Sequence, residues 1–105
     1  MKRTLVQYRT KPEAVGENER LIQAVFAELR TRAPKGIQYL ALRLDGRFMH
    51  LVSVKDGTDS VTALESFRAF QGGIRERCLE APQAAEVTVV GNYRMLDECP
   101  NPAGD

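Results

Sequence analysis

Residues 37–54 read IQYLALRLDGRFMHLVSV, and this stretch decides the fold. Two runs alternate on either side of Asp45-Gly46. Alternation is the signature of strands with one face buried. Asp-Gly between two such runs is a strong hairpin signal, since a type I′ turn needs positive φ at both central residues. A two-residue turn then sets the register by counting. Leu44 faces Arg47, Leu42 faces Met49 and Leu40 faces Leu51. On the other face Arg43 meets Phe48, Ala41 meets His50, Tyr39 meets Val52 and Ile37 meets Val54.

The rest of the chain arranges itself around this hairpin. Residues 3–9, RTLVQYR, alternate as a first strand. Pro12 fixes its own φ and turns Lys11 away from helix, so the strand ends there. From Ala14 to Arg32 the period is helical, with Leu21, Ile22, Val25, Phe26 and Leu29 on one stripe. Acids lead this helix and arginines close it, as its dipole favours. Pro34 and Gly36 stop it. After the hairpin, residues 55–60 form a loop in which Asp59 or Ser60 is placed to cap a second helix. Leu64, Phe67, Phe70, Ile74 and Cys78 mark that helix, with an interruption expected at Gly72-Gly73. Glu80-Ala81-Pro82 is read as its end. Residues 85–96, AEVTVVGNYRML, are read as a last strand, irregular at Gly91. The order β-α-β-β-α-β predicts an α+β, ferredoxin-like domain: two helices on one face of a four-stranded antiparallel sheet. One domain over residues 1–96 and a loose tail over 97–105 follow.

Composition excludes several classes. The 105 residues are 43% hydrophobic and 28% charged, with a formal net charge of +1. Such a balance gives no broad electrostatic grip on nucleic acid or an anionic membrane. No apolar run is long enough to span a bilayer, and the basic start lacks the apolar core of a signal peptide. Cys78 falls in a helical pattern and Cys99 in a Pro-rich tail, with no export signal, so reduced thiols in a cytoplasmic setting are expected; no metal-ligand spacing occurs, and neither metal nor cofactor is expected. Glycine-rich phosphate loops and nucleophile-elbow motifs are missing. The strand RFMHLVSV lacks the basic aromatic signature of RNA-binding domains of this topology.

The hairpin raises a packing question. One face is aliphatic: Leu40, Leu42, Leu44, Met49 and Leu51. The other is mixed: Tyr39, Ala41, Arg43, Phe48, His50 and Val52. Two helices cover only one face, and a second apolar face left open marks an interface. A homodimer joined through the sheets is therefore expected. His50, the only histidine, is the first candidate for chemistry, because an unperturbed imidazole titrates near neutral pH and suits proton transfer on a phenolic or enolic substrate. Its facing residue, Ala41, leaves room for a ligand. A structural histidine bonded to a tyrosine is the competing reading. Tyr8 and Tyr93 are expected on neighbouring strands, with hydroxyls available to a polar ligand. Phe67, Phe70, Phe26 and Ile74 sit where they would roof a cavity between helices and sheet. Arg75, Arg77, Glu76 and Glu80 read as a solvated charged face.

Three stretches carry a family resemblance: LVQYRTKPE at 5–13, HLVSVKDG at 50–57 and TALESFRAF at 62–70. Together they resemble the dimeric α/β-barrel superfamily, and within it the antibiotic-biosynthesis-monooxygenase-like domains, over residues 3–96. The resemblance implies sheet-to-sheet dimers and a cofactor-independent monooxygenase-like activity on an aromatic or quinol-type substrate. It implies His50 as base or orienting group, with Tyr39, Arg43 and Tyr8 positioning the substrate and Phe67 and Phe70 beside it. The chain departs from some relatives by having Phe67 where they carry a helix histidine. It has no tryptophan, which disfavours the haem-degrading branch. A non-catalytic dimeric ligand-binding or stress-related protein is the other class compatible with these residues, and a regulatory ligand-binding module is a third.

Overall fold

The computed structural model describes residues 2–56 and 61–96. Its elements are β1 (Lys2–Thr10), α1 (Val15–Arg32), β2 (Ile37–Leu44), β3 (Arg47–Val54), α2 (Glu65–Gly72), α3 (Ile74–Arg77) and β4 (Cys78–Glu86). The strands form one antiparallel sheet in the order β2-β3-β1-β4. This is the ferredoxin-like order, with the helices on one face.

The hairpin register is the counted one at every pair, including Ala41 with His50 and Leu42 with Met49. The turn itself differs from the expectation. Asp45 takes positive φ (53°), but Gly46 does not. The Gly46 carbonyl instead turns to the end of β1, where it accepts the Thr10 amide at 2.9 Å. A Cβ at Gly46 would meet the Thr10 carbonyl oxygen at 3.4 Å, an ordinary van der Waals distance.

The faces separate as the alternation requires. Tyr8, Phe48 and His50 point to the helices and join Ile22, Val25, Val61, Leu64 and Phe70 in the buried layer. α1 turns its stripe onto this layer, and at its end Ala33 adopts a left-handed cap whose amide bonds the Leu29 carbonyl. The first turn of α2 is held by α1. Glu28 accepts from the Ser66 amide at 2.9 Å and from its hydroxyl at 2.6 Å. Those bonds hold the Glu28 carboxyl below its usual range. The expected cap at Asp59 or Ser60 lies outside the described residues, as does the tail over 97–105.

The last strand is not where the alternation at 85–96 put it. Helical structure breaks at Gly73, as expected, but ends at Arg77 rather than running past Cys78. Cys78 opens β4, and Glu80-Ala81-Pro82 lie within that strand instead of ending a helix. The Arg77 carbonyl already accepts the Lys11 amide at 2.8 Å, which commits the chain to β1 from there. Pro82 is tolerated because β4 is an edge strand. The pairing also slips twice. Gln7 pairs with Gln83, Arg9 with Glu80 and Thr10 with Cys78, so β4 carries one surplus residue in each step. Beyond the last ladder bond, from the Val87 amide to the Arg3 carbonyl, the chain leaves the sheet. The Asn92 side chain then holds the amides of Met95 and Leu96 at 3.1 and 3.0 Å, a local turn that competes with strand formation. Tyr93 is therefore on no strand, and it is 79% exposed.

The opposite sheet face is covered at one end, where Met95 and Leu96 line a cavity with Leu40, Leu51 and Ser53 and Ser53 is 2% exposed, and bare at the other. Leu42 is 52% exposed and Leu44 65%, with Leu40 beside them. No helix among the described residues is long and apolar enough to cross a membrane. Cys78 is a free thiol, and burial pushes its pKa up.

Candidate functional site

The helix-facing side of the sheet assembles a chain of polar groups around His50. His50 stands on β3 between Val6 of β1 and Ala41 of β2. Both neighbours are short, so neither fills the space beside the imidazole. Tyr8 and Tyr39 lie diagonally across the two strand pairs, within reach of long aromatic side chains. Tyr8 Oη is 2.8 Å from His50 Nε2, and Tyr39 Oη is 2.7 Å from His50 Nδ1. Both ring nitrogens are thus engaged by tyrosine hydroxyls.

The chain continues into the helices. Asn18 Nδ2 of α1 donates to Tyr8 Oη at 2.8 Å. Arg77 Nε of α3 donates to Asn18 Oδ1 at 3.0 Å, and Arg77 Nη2 donates to the Phe70 carbonyl at 2.6 Å. The guanidinium also lies over the Phe70 ring, 5.3 Å from its centroid. Aromatic rings wrap the polar groups. Phe70 is 5.5 Å from the His50 ring and 6.3 Å from Tyr8, and Phe67 backs Phe70 at 5.8 Å. Phe48 stacks on Tyr8, and Phe26 meets Tyr39 edge-on at 4.9 Å.

Burial sets the electrostatics. His50 is 3% exposed, and desolvation lowers its pKa to about 4. The imidazole is therefore neutral at physiological pH, not poised near its ordinary value. Desolvation also raises both Tyr8 and Tyr39 above the usual phenol range. The cluster is a set of neutral groups ending at one guanidinium.

Four of the sequence candidates come together directly: His50, Tyr39, Tyr8 and Phe70. Phe67 joins them through Phe70. Arg43 does not. It is exposed at the rim, ion-paired with Glu19 and bonded through Nη1 to the Asp45 carbonyl at 3.0 Å. Two members were not anticipated. Asn18 is fully buried, and its position four residues before Ile22 puts a polar side chain on the apolar stripe, which is the available sequence signal. Arg77 lies in a charged run that reads as a solvated face, but its head group is the partly buried end of the chain. Of the remaining charges read that way, Glu80 pairs with Arg9 at 3.0 Å on the open side.

Tyr39 is the half-buried end of the chain. It also lines a groove of about 220 Å³ with Phe26, Leu29, Arg30, Pro34 and Ile37. Among the described residues no three His, Cys, Asp or Glu side chains cluster as metal ligands.

No family model matches this sequence, and no curated protein matches it. Solved structures do. A conserved protein from Methanosarcina mazei Go1 is 17% identical, with 82% of this chain and 89% of that one covered and a TM-score of 0.68. A protein named antibiotic biosynthesis monooxygenase is likewise 17% identical, over 87% of this chain and all (100%) of that one, with a TM-score of 0.68. Rv0793 from Mycobacterium tuberculosis is 12% identical over 87% and 96%, again with a TM-score of 0.68. The class these likenesses define is the ferredoxin-like α+β domain. This chain shares that fold with the protein named antibiotic biosynthesis monooxygenase, and at such identities the shared property is the fold alone.

Proposed function

We propose that this chain is a monooxygenase-like small-molecule enzyme that acts without a metal on an aromatic or quinol-type substrate. The observation that carries this reading is the Tyr39–His50–Tyr8 chain, whose two hydroxyls engage both imidazole nitrogens beneath an aromatic roof. The fold likeness to a protein named antibiotic biosynthesis monooxygenase supports it. An oxygenation of this class takes dioxygen as oxidant. One oxygen atom enters the substrate, the other leaves as water, and the substrate supplies the electrons. The test is dioxygen consumption with a panel of quinols and polycyclic phenols, comparing wild type with Tyr39→Phe. Losing one hydroxyl at such a site is expected to lower kcat/KM by roughly a hundredfold. Equal rates would remove the chain from the mechanism.

A second reading follows from the depth of His50, which is only 3% exposed. In it the protein binds a small aromatic ligand without turning it over. Ligand binding with no dioxygen uptake across the panel would select this reading.

We also propose that the bare part of the aliphatic face is covered by a second copy of the chain, sheet to sheet. Leu40, Leu42 and Leu44 supply the exposed apolar surface, and the helices already occupy the other side. Sedimentation at micromolar concentration is expected to give a dimer for wild type and a monomer for Leu42→Asp. A monomeric wild type would refute the arrangement.

A further inference from the structure

The hydrogen bonds around His50 have a direction, and it can be read from one end. Arginine donates only and never accepts. Arg77 Nε faces Asn18, so the Asn18 atom it meets is the oxygen, Oδ1. The amide nitrogen is then the atom facing Tyr8, and it donates to Tyr8 Oη. Tyr8 has two hydrogen-bond partners among the described residues, Asn18 and His50. Having accepted from Asn18, its hydroxyl proton is satisfied only by His50 Nε2, and a buried hydroxyl left without an acceptor is costly. A neutral imidazole has one donor and one acceptor nitrogen. With Nε2 accepting, the proton sits on Nδ1, which donates to Tyr39 Oη. Tyr39 thus accepts from His50, and its own proton has no acceptor among the described residues.

We infer that Arg77 and Asn18 set the direction of this chain, that it ends at Tyr39 as a hydrogen-bond donor, and that the substrate group received there is an acceptor oxygen: a carbonyl, or an enolate or phenolate. The ligand half rests on the reading under Proposed function; the direction does not. The chain is unsuited to abstracting a proton through Tyr39. A proton passed inward would meet His50 Nδ1, which already carries a proton and donates to Tyr39, and cannot be taken up there. What the chain does is align successive dipoles from a guanidinium toward Tyr39, which favours negative charge on the oxygen bound there. Asn18 and Arg77 are positioning residues, and Tyr39 is the contact that selects the ligand.

The chain's single histidine makes the test direct, because one imidazole gives the whole signal. A two-bond proton–nitrogen correlation spectrum of nitrogen-labelled protein at neutral pH is expected to show the Nδ1–H tautomer. Asn18→Asp keeps an acceptor for Arg77 but turns an acceptor toward Tyr8. Tyr8 then donates to that carboxylate and accepts from His50, and the tautomer is expected to switch to Nε2–H. An Nε2–H or mixed signal in wild type overturns the inference without any variant being needed, and an unswitched Asn18→Asp signal overturns it as well. The ligand half is read by titrating menadione, whose quinone oxygens only accept. Binding is expected to weaken roughly tenfold or more in Tyr39→Phe, as for loss of one hydrogen bond to a desolvated site. Equal binding, with the expected tautomer, overturns the ligand half and leaves the direction standing. No binding to wild type overturns the ligand half and also counts against the proposed substrate class.

Discussion

Acidification from pH 6.5 to pH 4 is expected to remove about 3 kcal/mol of folding stability through His50 alone. The folded pKa lies near 4, and the unfolded imidazole titrates at its ordinary 6.5. Above 6.5 both states are neutral, and the group contributes no pH dependence. Between the two values the unfolded chain binds a proton that the folded chain refuses, so unfolding gains. Below 4 both are protonated and the loss is complete. The paired carboxylates titrate lower. Glu17 and Glu28 are held below their ordinary value of 4.5 by Arg20 and Ser66, so what they contribute begins to be lost only near 4.5, at the acid end of this window. Denaturant melts of wild type and His50→Gln across this window are the check. Between pH 6.5 and about 5, above the carboxylate range, the slope is expected in wild type and missing in the variant. A flat wild-type curve would mean that the folded protein accepts the proton on His50, and that the site is wetter than its geometry.

Asn18→Leu is expected to cost roughly 3 kcal/mol or more, although it places an apolar side chain of similar size on an apolar stripe. The buried position is not apolar in its partners. Tyr8 loses its donor, and Arg77 Nε loses its acceptor while partly buried over Phe70. An unpaired charged donor in such a place is the expensive part. Gln23→Leu, an exposed change on the same helix, is the control and should stay within about 0.5 kcal/mol. A loss below about 1 kcal/mol for Asn18→Leu would show that Arg77 finds water or another acceptor without disturbance.

The hairpin was legible because its information is local. Alternation over residues 37–54 and one tight turn determine every pairing, and they place His50 opposite Ala41. The turn chemistry was less legible, since Gly46 answers to Thr10 from another strand rather than to the hairpin. The last strand was misread for the same reason. Residues 85–90, AEVTVV, have the stronger strand composition, but pairing with β1 begins at Cys78, where α3 hands the chain over. A strand with Pro82 and two surplus residues announces nothing by pattern. The site was half legible. Aromatic and imidazole groups on counted strands could be placed together. Arg43 was placed with them by register, yet its long side chain swings to Glu19. Arg77 shows the converse: a residue in a charged run, drawn inward by an amide 59 positions away.

The polar chain draws one link from almost every element: Tyr8 from β1, Asn18 from α1, Tyr39 from β2, His50 from β3 and Arg77 from α3. Apart from the pairs at separations of 10 and 11, its links join residues 42 and 59 apart, so loops must close before they form. Such bonds are expected to form late, after strands and helices have docked. Their weight therefore falls on the unfolding rate more than on the folding rate. The same five residues that orient a proton also act as a latch, slowing escape from a fold whose assembly they do little to hasten.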